Sequence, residues 1–212
     1  MRLLDATRVE AAGEAVRPTR AEAGPEDWLR SRAYALLARL FAEIPSADVI
    51  DSLSGLETGD EEGPLVDAWQ RLARAADQSD PESLDTEYHA LFIGLGRGEV
   101  LPYGSWYQSG FLMGRPLVQL REDLRALGLE READVKEPED HVGALLECMA
   151  LLSGPDGMSL AAQREFFNAH LSAWIERFMQ DVQQAESADF YQAVGAFGER
   201  FFVTEKQYLE MV

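Results

Sequence analysis

The sequence has few of the residues that build covalent or metal-stabilised sites. It contains one cysteine, Cys148, and three histidines, His89, His141 and His170, among 212 residues. One cysteine excludes an internal disulfide framework, and its apolar helical setting predicts a packed, unreactive thiol in a reducing compartment. The histidines are scattered and form neither an HExxH pattern nor a Cys/His pair spacing, so the sequence predicts no metal site.

Long apolar runs and basic residues are scarce as well. No apolar stretch approaches the roughly 20 residues that cross a bilayer, and the first residues lack the apolar core of a secretion signal. The chain has 19 Lys and Arg against 38 Asp and Glu, a formal net charge of -19. This charge opposes binding to nucleic-acid phosphates and anionic lipids and favours basic ligands. We therefore expect a cytoplasmic protein without an integral membrane segment or a nucleic-acid partner.

Apolar residues recur at helical spacing nearly throughout the chain. Residues 29–44 carry an apolar stripe at i, i+3 and i+4, and Pro45 ends it. Pro64, Pro81 after a capping Asp80, and Pro138 each suit a first helical residue. We find no convincing strand. The pattern predicts an all-α, single compact domain of about 9–11 helices over residues 25–212, preceded by a mobile tail at residues 1–24, whose composition is rich in Ala, Glu and Arg.

A polar, unpatterned segment lies between two strongly periodic helices at about residues 129–137. It is the best candidate for a hinge that joins two packed helical halves. A hinge permits exchange of the C-terminal helices between copies. We therefore expect a monomer or a domain-swapped dimer.

A glycine-rich loop interrupts the helical pattern between Gly94 and Gly104. Its length is at the upper end of ordinary helix connections, which makes it a candidate functional loop. Although Gly94, Gly96 and Gly98 superficially resemble a phosphate-binding loop, they follow a helix, lack the dinucleotide spacing and a Lys-Ser/Thr ending, and precede the acidic Glu99. A tight turn is the favoured interpretation, with a small nucleotide hydrolase as the alternative.

Three motifs concentrate the unusual chemistry of the chain: residues 87–92 (EYHALF), residues 102–107 (PYGSWY) and residues 137–141 (EPEDH). Asp140 and His141 are adjacent, so on a helix their side chains point about 100 degrees apart and do not form a triad. Taken alone they are best interpreted as a cap and a buried histidine. Acidic neighbours would favour the charged form of His141 and make binding depend on pH. Ser105 and Cys148 lack a base at any motif spacing, so the sequence predicts no enzyme.

Together these motifs resemble the TorD/DmsD family of cytoplasmic chaperones, which mature molybdopterin-containing redox enzymes exported by the twin-arginine route. Leu95 departs from the pattern, because several family members have proline there. The resemblance implies an all-helical chaperone without a resident cofactor, although weak GTP binding has been discussed for relatives. It also implies binding of a twin-arginine signal peptide and of the apo molybdoenzyme subunit, which delays export until the cofactor is inserted. The expected client-binding residues are Leu91, Phe92, Pro102, Tyr103, Ser105, Trp106, Tyr107, Glu137, Pro138, Asp140 and His141.

Two other functions are compatible with the sequence. One is a small GTP-binding or GTP-hydrolysing protein built around the glycine loop, and the other is a generic helical adaptor. A copurified redox-enzyme precursor would favour the chaperone, and GTP turnover would favour the hydrolase. The sequence does not identify which molybdoenzyme is the client.

Overall fold

A computed structural model describes residues 4–5, 24–55 and 62–211. Within those ranges it has ten α-helices and one π-helical segment, which confirms the predicted all-α class. Of the predicted tail, only residues 4–5 and 24 fall inside the described ranges. The α-helices are α1 Pro25–Ala42, α2 Ala47–Ser54, α3 Pro64–Gln78, α4 Pro81–Tyr88, α5 Gly104–Ser109, α6 Arg115–Ala126, α7 Val142–Ser153, α8 Leu160–His170, α9 Ile175–Gln184 and α10 Phe190–Glu210, and the π-helix is His89–Ile93.

One very short antiparallel strand pair accompanies the helices. Strand β1 is Leu4–Asp5 and strand β2 is Glu130–Arg131, with Leu4 opposite Arg131 and Asp5 opposite Glu130. The expectation of no strand was therefore wrong at these residues. Two residues are too few to show the alternating pattern by which a strand is detected in a sequence.

The predicted helix starts were correct at two prolines and wrong at the third. Helices α3 and α4 begin at Pro64 and Pro81, and the Asp80 carboxylate accepts hydrogen bonds from two backbone N–H groups of the first turn of α4. Helix α7 begins at Val142 instead of Pro138. The helix does not extend back to Pro138, because the backbone of His141 forms an antiparallel bridge with Tyr103.

The chain divides into two compact units. Unit 1 comprises the described residues within Met1–Ala42, Tyr103–Trp174 and Gln207–Val212. Helix α7 is apolar on nearly all sides and packs along α1. Gly143 permits their close approach, since a Cβ there would lie 3.2 Å from the Ala38 carbonyl oxygen. Leu37 of α1 and Leu145 of α7 are buried, and full burial of a side chain of this kind contributes about 1.5–3 kcal/mol.

Unit 2 comprises the described residues within Glu43–Pro102 and Ile175–Lys206. Its core is rich in aromatic side chains, with the Trp69 and Phe197 rings edge to face at 4.9 Å between centroids. Gly198 on α10 lies directly against Met179 of α9, because a Cβ at that position would come within 2.5 Å of the Met179 sulfur. This glycine is therefore a packing residue.

The segment predicted as a hinge, residues 129–137, lies inside unit 1. The chain passes between the units at four other points, after Ala42, Pro102, Trp174 and Lys206. Hinge motion at residues 129–137 and the domain-swapped dimer stay predictions. Across the described ranges, no helix has both the length and the apolarity needed to span a bilayer.

Candidate functional site

The residues predicted to bind a client are distributed over both units. Leu91, Phe92 and Pro102 belong to unit 2, and the residues of the other two motifs from Tyr103 onward belong to unit 1.

In unit 1 the second and third motifs are joined through their backbones. Tyr103 and His141 form an isolated antiparallel bridge. The Gly104 N–H donates to the Asp140 carbonyl oxygen at 2.8 Å, and the Ser105 N–H donates to Asp140 Oδ2, also at 2.8 Å. Residues about 35 positions apart in the chain thus form one site, which no local sequence pattern could establish.

The centre of this site is buried. Ser105 is fully buried, and Asp140 and His141 expose 3% and 6% of their surface. The second carboxylate oxygen, Asp140 Oδ1, is buried and has no hydrogen-bond partner among the described residues. An unsatisfied buried acceptor costs about 1–3 kcal/mol. This free-energy cost is present in the isolated protein and would be removed by any donor that reached the atom.

His141 is the N-cap of α7, and its Nδ1 accepts a hydrogen bond from the Gly143 N–H at 3.1 Å. A neutral ring that accepts at Nδ1 carries its proton on Nε2. Burial lowers the pKa of His141 from its usual 6.5 to about 4, although Glu137 and Asp140 act in the opposite direction. The expectation that acidic neighbours favour the charged imidazole was therefore wrong, because desolvation outweighs both carboxylates.

Tyr103 and Glu137 form the accessible rim of the site. The Tyr103 hydroxyl donates to Glu137 Oε2 at 2.5 Å, and Glu137 is exposed. The Tyr103 ring meets the His141 ring edge to face at 5.3 Å between centroids. The rim therefore presents an aromatic ring beside a carboxylate.

The aromatic segment that follows Tyr103 lies near Trp174, which comes shortly after the end of α8. Tyr107 is partly buried and stacks on Trp174, with centroids 5.3 Å apart and planes 25° apart. Gly104 allows the Trp174 ring to approach, since a Cβ there would lie 3.2 Å from it. Trp106 and Pro138 are also partly buried. Trp106 and Tyr107 therefore serve mainly in packing, although part of each ring is accessible.

Sequence reasoning missed an ion-pair cluster that anchors the segment before α7. Arg121 donates through Nε and a terminal nitrogen to Glu139 Oε2 at 3.0 and 2.8 Å, and Arg131 Nε lies 3.5 Å from Oε1. Burial would raise the pKa of Glu139, but the hydrogen bond and charge of Arg121 and the charge of Arg131 together lower it. No motif spacing links Arg121 to Glu139, so the cluster depends on the fold.

In unit 2 the Leu-Phe pair lies in the π-helix. Leu91 is fully buried, and the partly buried Phe92 ring meets Tyr88 and Tyr191 edge to face at 5.1 and 5.0 Å. These contacts are core packing. A π-helical segment is rare and frequently lies at a functional site, and a client-binding role for Leu91, Phe92 and Pro102 stays a prediction.

Glu87, at the start of the same motif, has a structural role that the sequence did not reveal. Its carboxylate accepts hydrogen bonds from the N–H groups of Asp189, Phe190 and Tyr191 at 2.8, 3.1 and 2.8 Å. It thereby caps the first turn of α10 from a position about 100 residues away in the chain. Burial raises the pKa of Glu87 although these three bonds oppose that effect.

The glycine loop of unit 2 is closed by its own backbone. The N–H groups of Gly94, Glu99 and Val100 donate to carbonyl oxygens of the π-helix, and the Glu99 carboxylate accepts from Ser187. A Cβ at Gly98 would lie 2.5 Å from a π-helix carbonyl oxygen. These amides are directed at the protein instead of a phosphate group. Nucleotide binding by the loop stays a prediction, and its arrangement favours the tight turn.

Comparison with known proteins places these motifs in a family. The family model described as nitrate reductase delta subunit matches residues 60–180. The chaperone protein TorD of Vibrio cholerae serotype O1 is 32% identical over 201 residues, which cover 86% of this chain and 89% of the relative. The chain belongs to the TorD/DmsD family. The resemblance predicted from the three motifs is therefore confirmed.

Two further comparisons agree with this family assignment. The Tat proofreading chaperone DmsD of Haemophilus influenzae is 27% identical over 131 residues, covering 61% of this chain and 63% of that protein. A crystal structure assigned as a redox enzyme maturation protein from Archaeoglobus fulgidus has a TM-score of 0.59 and 19% identity, covering 90% of this chain and 99% of that chain. The structural likeness supports the helical fold, and the family names support a non-enzymatic chaperone role in redox enzyme maturation.

Proposed function

We propose that this TorD/DmsD family chaperone acts in the cytoplasm and binds the twin-arginine signal peptide of a molybdopterin-containing oxidoreductase subunit. It also binds the apo form of that subunit and delays its export until the cofactor has been inserted. Such a signal peptide has a basic end and an uncharged apolar segment. A receptor for it requires acidic groups next to apolar surface.

The observation that carries this proposal is the accessible rim of the unit 1 site. The rim consists of the Tyr103 ring and the exposed Glu137 carboxylate, which are joined by a hydrogen bond. A basic peptide segment is rich in N–H donors and positive charge, which complement an exposed acid, and the aromatic ring supplies apolar surface beside it. Ser105, Asp140 and His141 are buried, so their role in this proposal is to hold Tyr103 in position.

The magnitudes indicate which part of the peptide supplies affinity. An exposed ion pair contributes about 0–1 kcal/mol. Burial of about 300 Å² of apolar peptide surface contributes roughly 7 kcal/mol before ordering costs. We therefore expect apolar burial to dominate the affinity, while the net charge of -19 accelerates encounter with a basic partner.

Fluorescence anisotropy with a labelled synthetic leader tests the proposal. The probe carries two consecutive arginines followed by an uncharged Leu/Ala-rich segment, and a second probe replaces that segment with Ser, Asn and Gln. We expect the protein to bind the first probe and to lose most affinity for the second. Tyr103→Ala should weaken binding of the first probe by about tenfold, while Glu130→Gln, an exposed acid elsewhere in unit 1, should leave it unchanged. Equal affinity for both probes would refute the proposal, and so would failure to bind either probe.

A further inference from the structure

Unit 1 exposes three consecutive large apolar residues in the connection between α5 and α6. Phe111, Leu112 and Met113 leave 75%, 48% and 70% of their surface accessible, and we call this segment the apolar tip. Contiguous exposed apolar residues on a soluble protein mark interaction sites more often than isolated ones do. None of the three predicted motifs includes this segment.

The tip has a defined backbone conformation. Gly110 ends α5 in the left-handed region at φ 75°, and Met113 also has a positive φ, 59°. A residue with a Cβ pays roughly 1–2 kcal/mol to adopt this conformation. The Met113 N–H donates to Ser105 Oγ at 3.1 Å, and the Ser109 hydroxyl donates to the Ser105 carbonyl oxygen at 2.7 Å.

Ser105 connects the tip to the buried motif residues. Its hydroxyl accepts from Met113, while its N–H donates to Asp140 Oδ2 at 2.8 Å. Asp140 and Ser105 thus hold Met113 in its strained conformation through two consecutive hydrogen bonds. Two buried residues of the predicted motifs, Ser105 and Asp140, thus help to position the apolar tip, which lies outside those motifs.

We infer that the apolar tip is a docking surface for the uncharged apolar segment of the signal peptide, an inference that rests on the function proposed above. Between residues 104 and 120 the only charged residue is Arg115. A positive charge at this position repels the basic end of a signal peptide and leaves the uncharged segment as the part that fits. A second copy of this chain is disfavoured as the occupant, because each copy carries a net charge of -19.

A double variant, Phe111→Gln with Met113→Gln, tests the surface with the leader probe described above. Its matched control is Leu29→Gln, because Leu29 lies on α1 of the same unit and is 62% exposed. We expect the double variant to bind the probe at least about tenfold more weakly, because two apolar contacts are lost. The control should bind as the wild type does, and circular dichroism should show both variants folded.

A second measurement reports contact directly. The native thiol of Cys148 is fully buried, and burial raises its pKa far above the usual range, so it is inert to maleimide. Leu112→Cys then supplies the one reactive thiol, and saturating probe should slow its labelling at least about fivefold if the tip is covered. Leu29→Cys should be labelled at the same rate with and without probe.

The outcomes separate this inference from the proposed function. If the wild type binds the probe but the double variant binds equally well and Leu112→Cys is not protected, the docking surface is refuted while signal-peptide binding stands. If the wild type does not bind the probe, both are refuted. A shift from dimer to monomer in the double variant, with unchanged probe binding, would assign the tip to self-association and overturn the inference.

Discussion

Replacement of His141 by asparagine should remove a specific part of the acid sensitivity of this protein. His141 caps α7 through an acceptor nitrogen and is almost fully buried. Asparagine is also a favourable N-cap residue and can accept the same Gly143 N–H, but it does not titrate. His141→Asn therefore keeps the cap while it removes the proton-binding group.

The magnitude follows from the two pKa values of the imidazole. The folded-state pKa of His141 is about 4, below the usual value of 6.5 that applies to the unfolded chain. The stability that depends on the neutral ring is therefore fully present above pH 6.5 and is lost as the pH falls towards 4. At 1.36 kcal/mol per pH unit, the wild type should lose about 2 kcal/mol from this group between pH 7.5 and pH 5.

Urea unfolding followed by circular dichroism at pH 7.5, 6.5, 5.5 and 5 measures the effect as a difference between two proteins. Titration of the carboxyl groups common to both largely cancels in that difference. We expect the free energy of unfolding of His141→Asn to fall less than that of the wild type, by about 2 kcal/mol at pH 5. His89→Asn, a substitution of an exposed histidine, should follow the wild type. Parallel pH curves for His141→Asn and the wild type would show that the ring is not desolvated as the structure indicates.

Three further predictions concern the other charged and backbone features. Glu87→Ala should lower the free energy of unfolding by about 2–4 kcal/mol in urea titrations, because three N–H groups of the first turn of α10 lose their acceptor. Glu82→Ala, which replaces an exposed acid, should lower the free energy of unfolding much less. Gly98→Ala should lower the melting temperature measurably, since its Cβ would lie 2.5 Å from the Leu91 carbonyl oxygen, and an unchanged value would contradict the closed loop. Stopped-flow association of the leader probe should slow as salt rises while dissociation changes little, and a salt-independent association rate would exclude electrostatic steering.

Much of the fold could be predicted because helix formation depends on residues close together in the chain. Apolar spacing in α1 and the Asp80-Pro81 start of α4 are local signals, and both correspond to observed helices. The start of α7 was misplaced at Pro138 because the backbone before Val142 pairs with Tyr103, a distant residue. At this position the long-range pairing with Tyr103, and not the local preference of proline for a helix start, determined where the helix begins.

The candidate site shows the same division between local and long-range information. The three motifs were sufficient to indicate the family, since a family resemblance depends on residue types and spacing. They did not reveal that Ser105 and Asp140 are bonded to each other or that Glu87 caps α10. These contacts join residues 35 and about 100 positions apart, and their geometry depends on how the helices pack.

The sequence by itself determined that this chain is helical and acidic, because composition and short-range periodicity carry that information. The resemblance of its three motifs to the TorD/DmsD family also indicated the relationship to chaperones. Only the tertiary structure decided that His141 is buried and that its pKa falls to about 4 instead of being raised by neighbouring acids. It also decided that Phe111 and its neighbours are exposed. Desolvation and exposure depend on which distant side chains cover a residue, and that is established only when the helices assemble.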